Sequence, residues 1–209
     1  MTDPGLALDL AQARARLLDL LVTHSFRYSQ DATFRLVSGR STHYYINCKE
    51  TTFLAEALPL VGTLGFERLR GQGLEAVGGL SLGADPIATA IAFTSQLRGE
   101  PLQAFSVRKE PKDHGLKRWV EGYVRPGARV AILEDVMTTG GSALKAIRGA
   151  EAAGFEVRKV LVLVDREEGG DERAEIVAKY PLDVIYRRDE VLAEYARQVG
   201  RDVASLGRD

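Results

Sequence analysis

Thirteen consecutive residues, Val130-Ala131-Ile132-Leu133-Glu134-Asp135-Val136-Met137-Thr138-Thr139-Gly140-Gly141-Ser142, carry three chemical signals in fixed order. The first four are apolar and partly β-branched, as in a strand covered on both faces of a sheet. Two carboxylates follow where that strand, predicted over 129–133, emerges. Hydroxyl and glycine residues come next, and a helical pattern opens at Ser142-Ala143-Leu144. Small residues let backbone N–H groups face inward around an anion, and a helix N-terminus adds positive potential there. The acids can accept hydrogen bonds from sugar hydroxyls beside a phosphate. An ordinary strand-to-helix turn with acids at its mouth has the same outline.

The flanking segments alternate. Residues 55–70 read as a helix, Leu74–Val77 as a strand ending in Gly78-Gly79, and Ala84-Asp85-Pro86-Ile87 as the start of a helix with proline in its first turn. Leu102–Val107 is a predicted strand, and Ser142 to about 153 a helix. Val160–Val164 is a strand, with a helix near 172–180, a strand near 183–186 and a closing helix near 189–198. Strands alternating with helices predict an α/β fold: a parallel, Rossmann-like sheet flanked by helices. Residues 6–24 are helical in period, Phe34–Val37 is extended, and His43–Asn47 is a strand on its aromatic and β-branched content. The expected organisation is one domain over 1–209, with a helix and small hood over about 1–50 and the α/β core over about 55–209.

The 209 residues, 45% hydrophobic and 27% charged, describe an ordinary folded chain. No apolar run approaches the ~20 residues of a membrane span. Met1-Thr2-Asp3-Pro4 begins no signal peptide, and Cys48, the single cysteine, suits a reducing compartment; the expected location is the cytoplasm. A net charge of −1 gives no reason to expect nucleic acid as a partner. Gly71-x-Gly73 precedes a strand and lacks a third glycine, which excludes a dinucleotide fingerprint, and no Gly-Lys-Ser/Thr phosphate loop occurs. Three scattered histidines and one cysteine supply no transition-metal site.

Arg108-Lys109-Glu110-Pro111-Lys112-Asp113-His114-Gly115-Leu116-Lys117-Arg118 holds five basic residues and two acids, without helical or strand period. Pro111 and Gly115 favour a loop. A charge run is commonly solvated surface, but a basic flap can also neutralise a departing polyanion while excluding water.

The stretch 130–142 resembles the phosphoribosyl pyrophosphate loop of type I phosphoribosyltransferases. Arg108 to Gly115, with its Lys-Asp-His-Gly core, resembles the catalytic loop of the orotate phosphoribosyltransferases. Phe34 to Arg40 with Tyr44-Tyr45-Ile46-Asn47 is similar to that family's orotate-binding segment, and Asp165-Arg166 to its Asp-Arg pair; the likeness runs from about 34 to about 166. It implies transfer of the phosphoribosyl group to orotate with Mg²⁺, giving orotidine 5′-monophosphate and pyrophosphate on the way to UMP. In the roles so implied, Glu134 and Asp135 hold the ribose hydroxyls, and Val136, Met137, Thr138, Thr139, Gly140, Gly141 and Ser142 wrap the 5-phosphate. Arg108, Lys109, Lys112 and His114 meet pyrophosphate. Lys112, His114 and Asp135 are the expected catalytic residues. Orotate falls to Thr138, Arg166, Tyr44 and Tyr45. Arg166 suits a carboxylate through its guanidinium fork, the plainer role being an ion pair with Glu167 or Glu168; bare tyrosines on a strand are more often core. The resemblance also implies a homodimer with shared active sites, and Mg²⁺ held mainly by substrate, with Asp85 as a possible protein ligand.

Three positions depart from the family pattern. Val37 stands where many members have lysine, Leu80-Ser81-Leu82-Gly83-Ala84-Asp85-Pro86 lacks the usual Tyr-Lys, and Glu134 replaces the commoner aspartate. The alternatives are a phosphoribosyltransferase for another base and a non-catalytic, phosphoribosyl pyrophosphate-sensing regulator. Residues 1–33 contain only three arginines, Arg14, Arg16 and Arg27, too few for the DNA footprint such a regulator needs. With 209 residues, no fused decarboxylase domain is expected.

Overall fold

The computed structural model describes residues 9–31, 34–35, 41–110 and 119–206. Helix α1 (Leu10–Leu20) starts where the Asp9 carboxylate accepts hydrogen bonds from the N–H groups of Ala11 and Gln12, and it buries Ala13, Leu17 and Leu20 at helical spacing. The chain continues through a wider helical turn at Leu21–Ser25 into strand β1 (Phe26–Tyr28). Two short strands, β2 (Phe34–Arg35) and β3 (Ser41–Thr42), pair antiparallel, and β4 (Tyr44–Ile46) pairs antiparallel with β1. A one-turn helix α2 (Lys49–Thr52) closes this hood and leads to helix α3 (Ala57–Leu69).

The remainder alternates: β5 (Ala76–Leu80), α4 (Asp85–Leu97), β6 (Gln103–Val107), β7 (Val120–Glu121), β8 (Arg129–Met137), α5 (Gly141–Ala152), β9 (Glu156–Asp165), α6 (Asp171–Lys179), β10 (Leu182–Arg187) and α7 (Arg188–Val199). One six-stranded sheet results, in the order β10-β9-β8-β5-β6-β7, parallel except for the edge strand β7. The α/β class read from the sequence is the observed one. Successive residues of β8 serve opposite faces: Ala131 and Leu133 join the core beneath α1, α3 and α4, whereas Val130 and Ile132 join the core beneath α5 and α6.

Three boundaries differ from expectation. Gly78-Gly79 lies inside β5 and does not end it. A Cβ on Gly78 would fall 2.1 Å from the Phe105 carbonyl oxygen, and one on Gly79 2.0 Å from that of Leu133. Close packing against both neighbouring strands, not a turn, requires these glycines. Strand β8 runs four residues past its predicted end, because β9 continues alongside it as far as Met137 opposite Asp165. Strand β9 itself begins at Glu156 and not at Val160, in register with Arg129.

Candidate active site

The site forms where the centre of the sheet splits. Strand β5 runs beside β8 only from Val130 to Leu133, after which β8 keeps β9 alone as a partner. The order also reverses there, with β6 beyond β5 on one side and β9 and β10 beyond β8 on the other. Open α/β sheets bind ligands in the crevice at such a switch point.

The turn after β8 carries the phosphate seat. Gly140 sits at φ 92°, a left-handed conformation that turns the chain into α5, and a Cβ there would press to 3.0 Å from the Arg173 nitrogen. The first N–H groups of α5 have no partner within the helix and face a cavity of about 370 Å³. Residues 136–142, Leu80, Glu134, Lys109 and Lys145 line it. Backbone donors, a helix N-terminus and two lysines suit a phosphate group.

Glu134 and Asp135 are both buried. Adjacent strand residues point to opposite faces, so Glu134 joins the phosphate cavity while Asp135 lies against the β5–α4 loop. A Cβ on Gly83 in that loop would fall 2.5 Å from Asp135 Oδ1. Burial, with the negative charge of Asp135 second, pushes the Glu134 carboxyl well above the usual carboxylate range, and the Lys49 ammonium opposes this. Lys49 Nζ stands 3.8 Å from Asp135 Oδ2. Cys48, behind the acids, is fully buried, and desolvation followed by the Asp135 charge raises its thiol well above the usual value. Asp85 opens α4 with its Oδ1 buried and lacking a hydrogen-bond partner, as is Glu134 Oε2.

Arg166 follows β9, and its N–H donates to the Met137 carbonyl at 2.9 Å, which ties it to the phosphate turn. Its guanidinium is buried, 4.3 Å above the centre of the Tyr44 ring. Nε lies 2.7 Å from Glu168 Oε1, and Nη2 donates to Thr42 Oγ1 at 3.4 Å. The pairing with Glu168 weighed in the sequence thus exists, but in the interior and not at the surface. Tyr44, 1% exposed, also stacks on Phe26, whereas Tyr45 turns to the other face of β4, 47% exposed and stacked on Phe34. The two tyrosines grouped in the sequence are therefore separated: Tyr44 joins Arg166 and Tyr45 does not. Below the turn, Arg173 Nη1 reaches Asp165 Oδ2 at 2.7 Å and Met137 Sδ at 3.3 Å, which braces the turn from behind.

Among the flap residues, Arg108 Nη1 donates to Glu121 Oε1 at 2.9 Å and Lys109 borders the cavity. Lys112 and His114 lie outside the described residues, as does Val37. The structure thus gathers Glu134, Lys109, Val136, Met137, Thr138, Thr139, Gly140, Gly141 and Ser142 about one cavity, with Asp135 and Arg166 at its margins. Sequence reasoning missed Lys49, Lys145 and the buried role of Glu168. Lys145 was within reach: it sits three residues after Ser142, on the same face of the first helical turn. A second cavity, about 330 Å³ beside Leu74 and Leu102 at the amino ends of β5 and β6, lies at the opposite end of the sheet.

Acids at the end of a central strand, followed at once by an anion-binding turn and helix at the switch point, are the arrangement expected of a type I phosphoribosyltransferase, and the relatives of this chain show that class. The orotate phosphoribosyltransferase of Aquifex aeolicus is 45% identical over 179 residues, covering 86% of this chain and 97% of that protein. That of Sorangium cellulosum is 47% identical over 182 residues, covering 86% and 93%. The crystal structure of the Mycobacterium tuberculosis enzyme in complex with phosphoribosyl diphosphate superposes with a TM-score of 0.68 at 31% identity, covering 86% of this chain and 92% of that one. No family model matches the chain. On these likenesses the chain belongs to the orotate phosphoribosyltransferase family.

Proposed function

We propose that this protein transfers the 5-phosphoribosyl group from phosphoribosyl pyrophosphate to orotate. The bond from orotate N1 to ribose C1 forms, the bond from C1 to pyrophosphate breaks, and orotidine 5′-monophosphate is released for UMP synthesis. The observation that carries this reading is Arg166: a buried guanidinium, braced by Tyr44 and Glu168, tied through the Met137 carbonyl to the phosphate turn. A purine carries no carboxylate and would give such a group nothing to bind, whereas orotate offers one.

The residues divide the work by charge. The turn 136–142 with Lys145 seats the 5-phosphate, Lys109 at the cavity's border faces the pyrophosphate, and Glu134 and Asp135 take the ribose hydroxyls. Positive charge develops on the ribose as the leaving group departs, and carboxylates fixed beside it stabilise that charge without reorganising. Lys112 and His114 belong to the basic flap, to which the resemblance assigns the departing pyrophosphate. Mg²⁺ fits this site at the first turn of α4: Asp85 Oδ1 is an oxygen donor buried without a hydrogen-bond partner. Among the described residues no group of three or more ligating side chains gathers, so such an ion would draw most of its shell from substrate. When bound it would supply positive charge to the pyrophosphate oxygens.

Homodimer formation accords with the apolar side chains that α4 exposes, Phe93 at 67% and Leu97 one turn later. A cytoplasmic location accords with the single free cysteine. No helix among the described residues is long and apolar enough to cross a membrane.

The test is loss of orotate ultraviolet absorbance. It is expected only with phosphoribosyl pyrophosphate and Mg²⁺ both present. No loss, with another base consumed instead, would overturn the reading.

A further inference from the structure

We propose that Lys49, on the hood, binds the diphosphate group of the phosphoribosyl donor, leaving Asp135 as the substrate enters; this rests on the reading of the site given above. Its backbone is well anchored. Cys48 is fully buried, and Thr51, two residues on, is locked by a 2.6 Å hydrogen bond between its hydroxyl and that of Ser25. Only the side chain has freedom. At 3.8 Å from Asp135 Oδ2 the ammonium is beyond the range of an N–H···O hydrogen bond and is held by charge alone. The Lys179–Glu175 pair on α6, by contrast, closes to 2.8 Å. The Lys49 side chain is also 42% exposed, so moving it off Asp135 forfeits little.

The charges around it name the ligand. Lys145 serves the phosphate turn and Lys109 borders its cavity, on the Glu134 side of β8, and Arg166 sits at the end of β9 beside that turn. At the Asp135 side, toward Gly83 and the first turn of α4, the facing side chains include two carboxylates, Asp135 and Asp85. A doubly phosphorylated leaving group arriving there meets like charge, which a further cation beside those of the flap and Mg²⁺ would offset. Lys49 reaches the Asp135 carboxylate from the hood, and its flexible stem lets the ammonium follow phosphate oxygens over several ångströms.

The experiment compares Lys49→Ala and Lys49→Arg with the unaltered enzyme, measuring KM for both substrates and inhibition by inorganic pyrophosphate. For Lys49→Ala the expected result is a rise of about tenfold or more in the KM for phosphoribosyl pyrophosphate and in the pyrophosphate inhibition constant, with orotate KM changed less than about twofold. Lys49→Arg, which keeps the charge, should stay within about threefold of the unaltered enzyme. An unchanged donor KM overturns the proposal. So does a raised donor KM with unchanged pyrophosphate inhibition, which would confine Lys49 to holding Asp135, and so does an arginine variant as weak as the alanine one. If the unaltered enzyme consumes no orotate, the functional reading fails by itself. Calorimetric titration with Mg²⁺ and pyrophosphate then decides the matter for Lys49: weaker binding by Lys49→Ala supports the assignment, equal binding ends it.

Discussion

The Arg173 guanidinium donates to an Asp165 carboxylate that has no solvent exposure at all, 2.7 Å away. The other Asp165 oxygen accepts the Glu167 N–H at 2.9 Å, in the turn that launches Arg166's neighbours. A buried pair of this kind adds little over an apolar replacement of both partners, but losing one partner strands a charge in the interior.

Arg173→Met should therefore lower stability by about 3–5 kcal/mol, and adding Asp165→Asn should recover a substantial part of that loss. Urea unfolding midpoints at constant m-value would show it. Equal stability of Arg173→Met and the unaltered protein would mean that the carboxylate is not confined as the structure has it.

Arg166→Lys keeps the positive charge but loses the planar fork and the stacking on Tyr44. Its orotate KM should rise about tenfold or more while the KM for phosphoribosyl pyrophosphate stays within about twofold. Steady-state kinetics with each substrate varied in turn would separate the two. Parallel rises in both would place Arg166 outside the orotate site.

Glu134 offers a test by pH. Its folded-state carboxyl titrates well above the unfolded value because burial disfavours its charge. The folded protein therefore holds a proton that the unfolded chain releases, and stability falls as pH rises from the ordinary carboxylate range through the raised folded value. Glu134→Gln removes this dependence. The Tm advantage of the variant over the unaltered protein should be absent near pH 4 and grow toward pH 8. A difference that does not change with pH would show that Glu134 titrates in the fold as it does in the unfolded chain.

Much of this site was legible because its chemistry is contiguous. Strand, acids, turn and helix start follow one another from Val130 to Ser142, so their spacing alone places phosphate and ribose contacts side by side. What escaped depends on contacts between distant segments. Gly78 and Gly79 look like a turn until Phe105 and Leu133 are seen to press on them across the sheet. Lys49 lies in no motif and gains meaning only when the hood brings it to Asp135. Strand alternation does tell that Tyr44 and Tyr45 part company, but which one turns inward is set by Phe26 and by Arg166, one from the hood and one from the far end of the core.

Shared sites can be checked by mixing. An Asp135→Ala protein retains the flap, and a Lys112→Ala protein retains the acids. If the flap of one subunit serves its neighbour, hybrids of the two should recover up to about a quarter of full activity after dissociation and reassociation, each parent remaining inactive. Mixtures no better than their parents would confine each flap to its own subunit.

The short hood segment from Thr42 to Lys49 touches both binding regions at once: Thr42 and Tyr44 steady the arginine, and Lys49 stands at the ribose acid. A backbone displacement of this segment therefore couples the two affinities, whereas single side-chain changes at Lys49 or Arg166 act on one of them. A change that tilts this ribbon alters both together, and an engineered preference for a different acceptor base would have to be sought in Glu168 or the Arg166 side chain itself, leaving the ribbon alone.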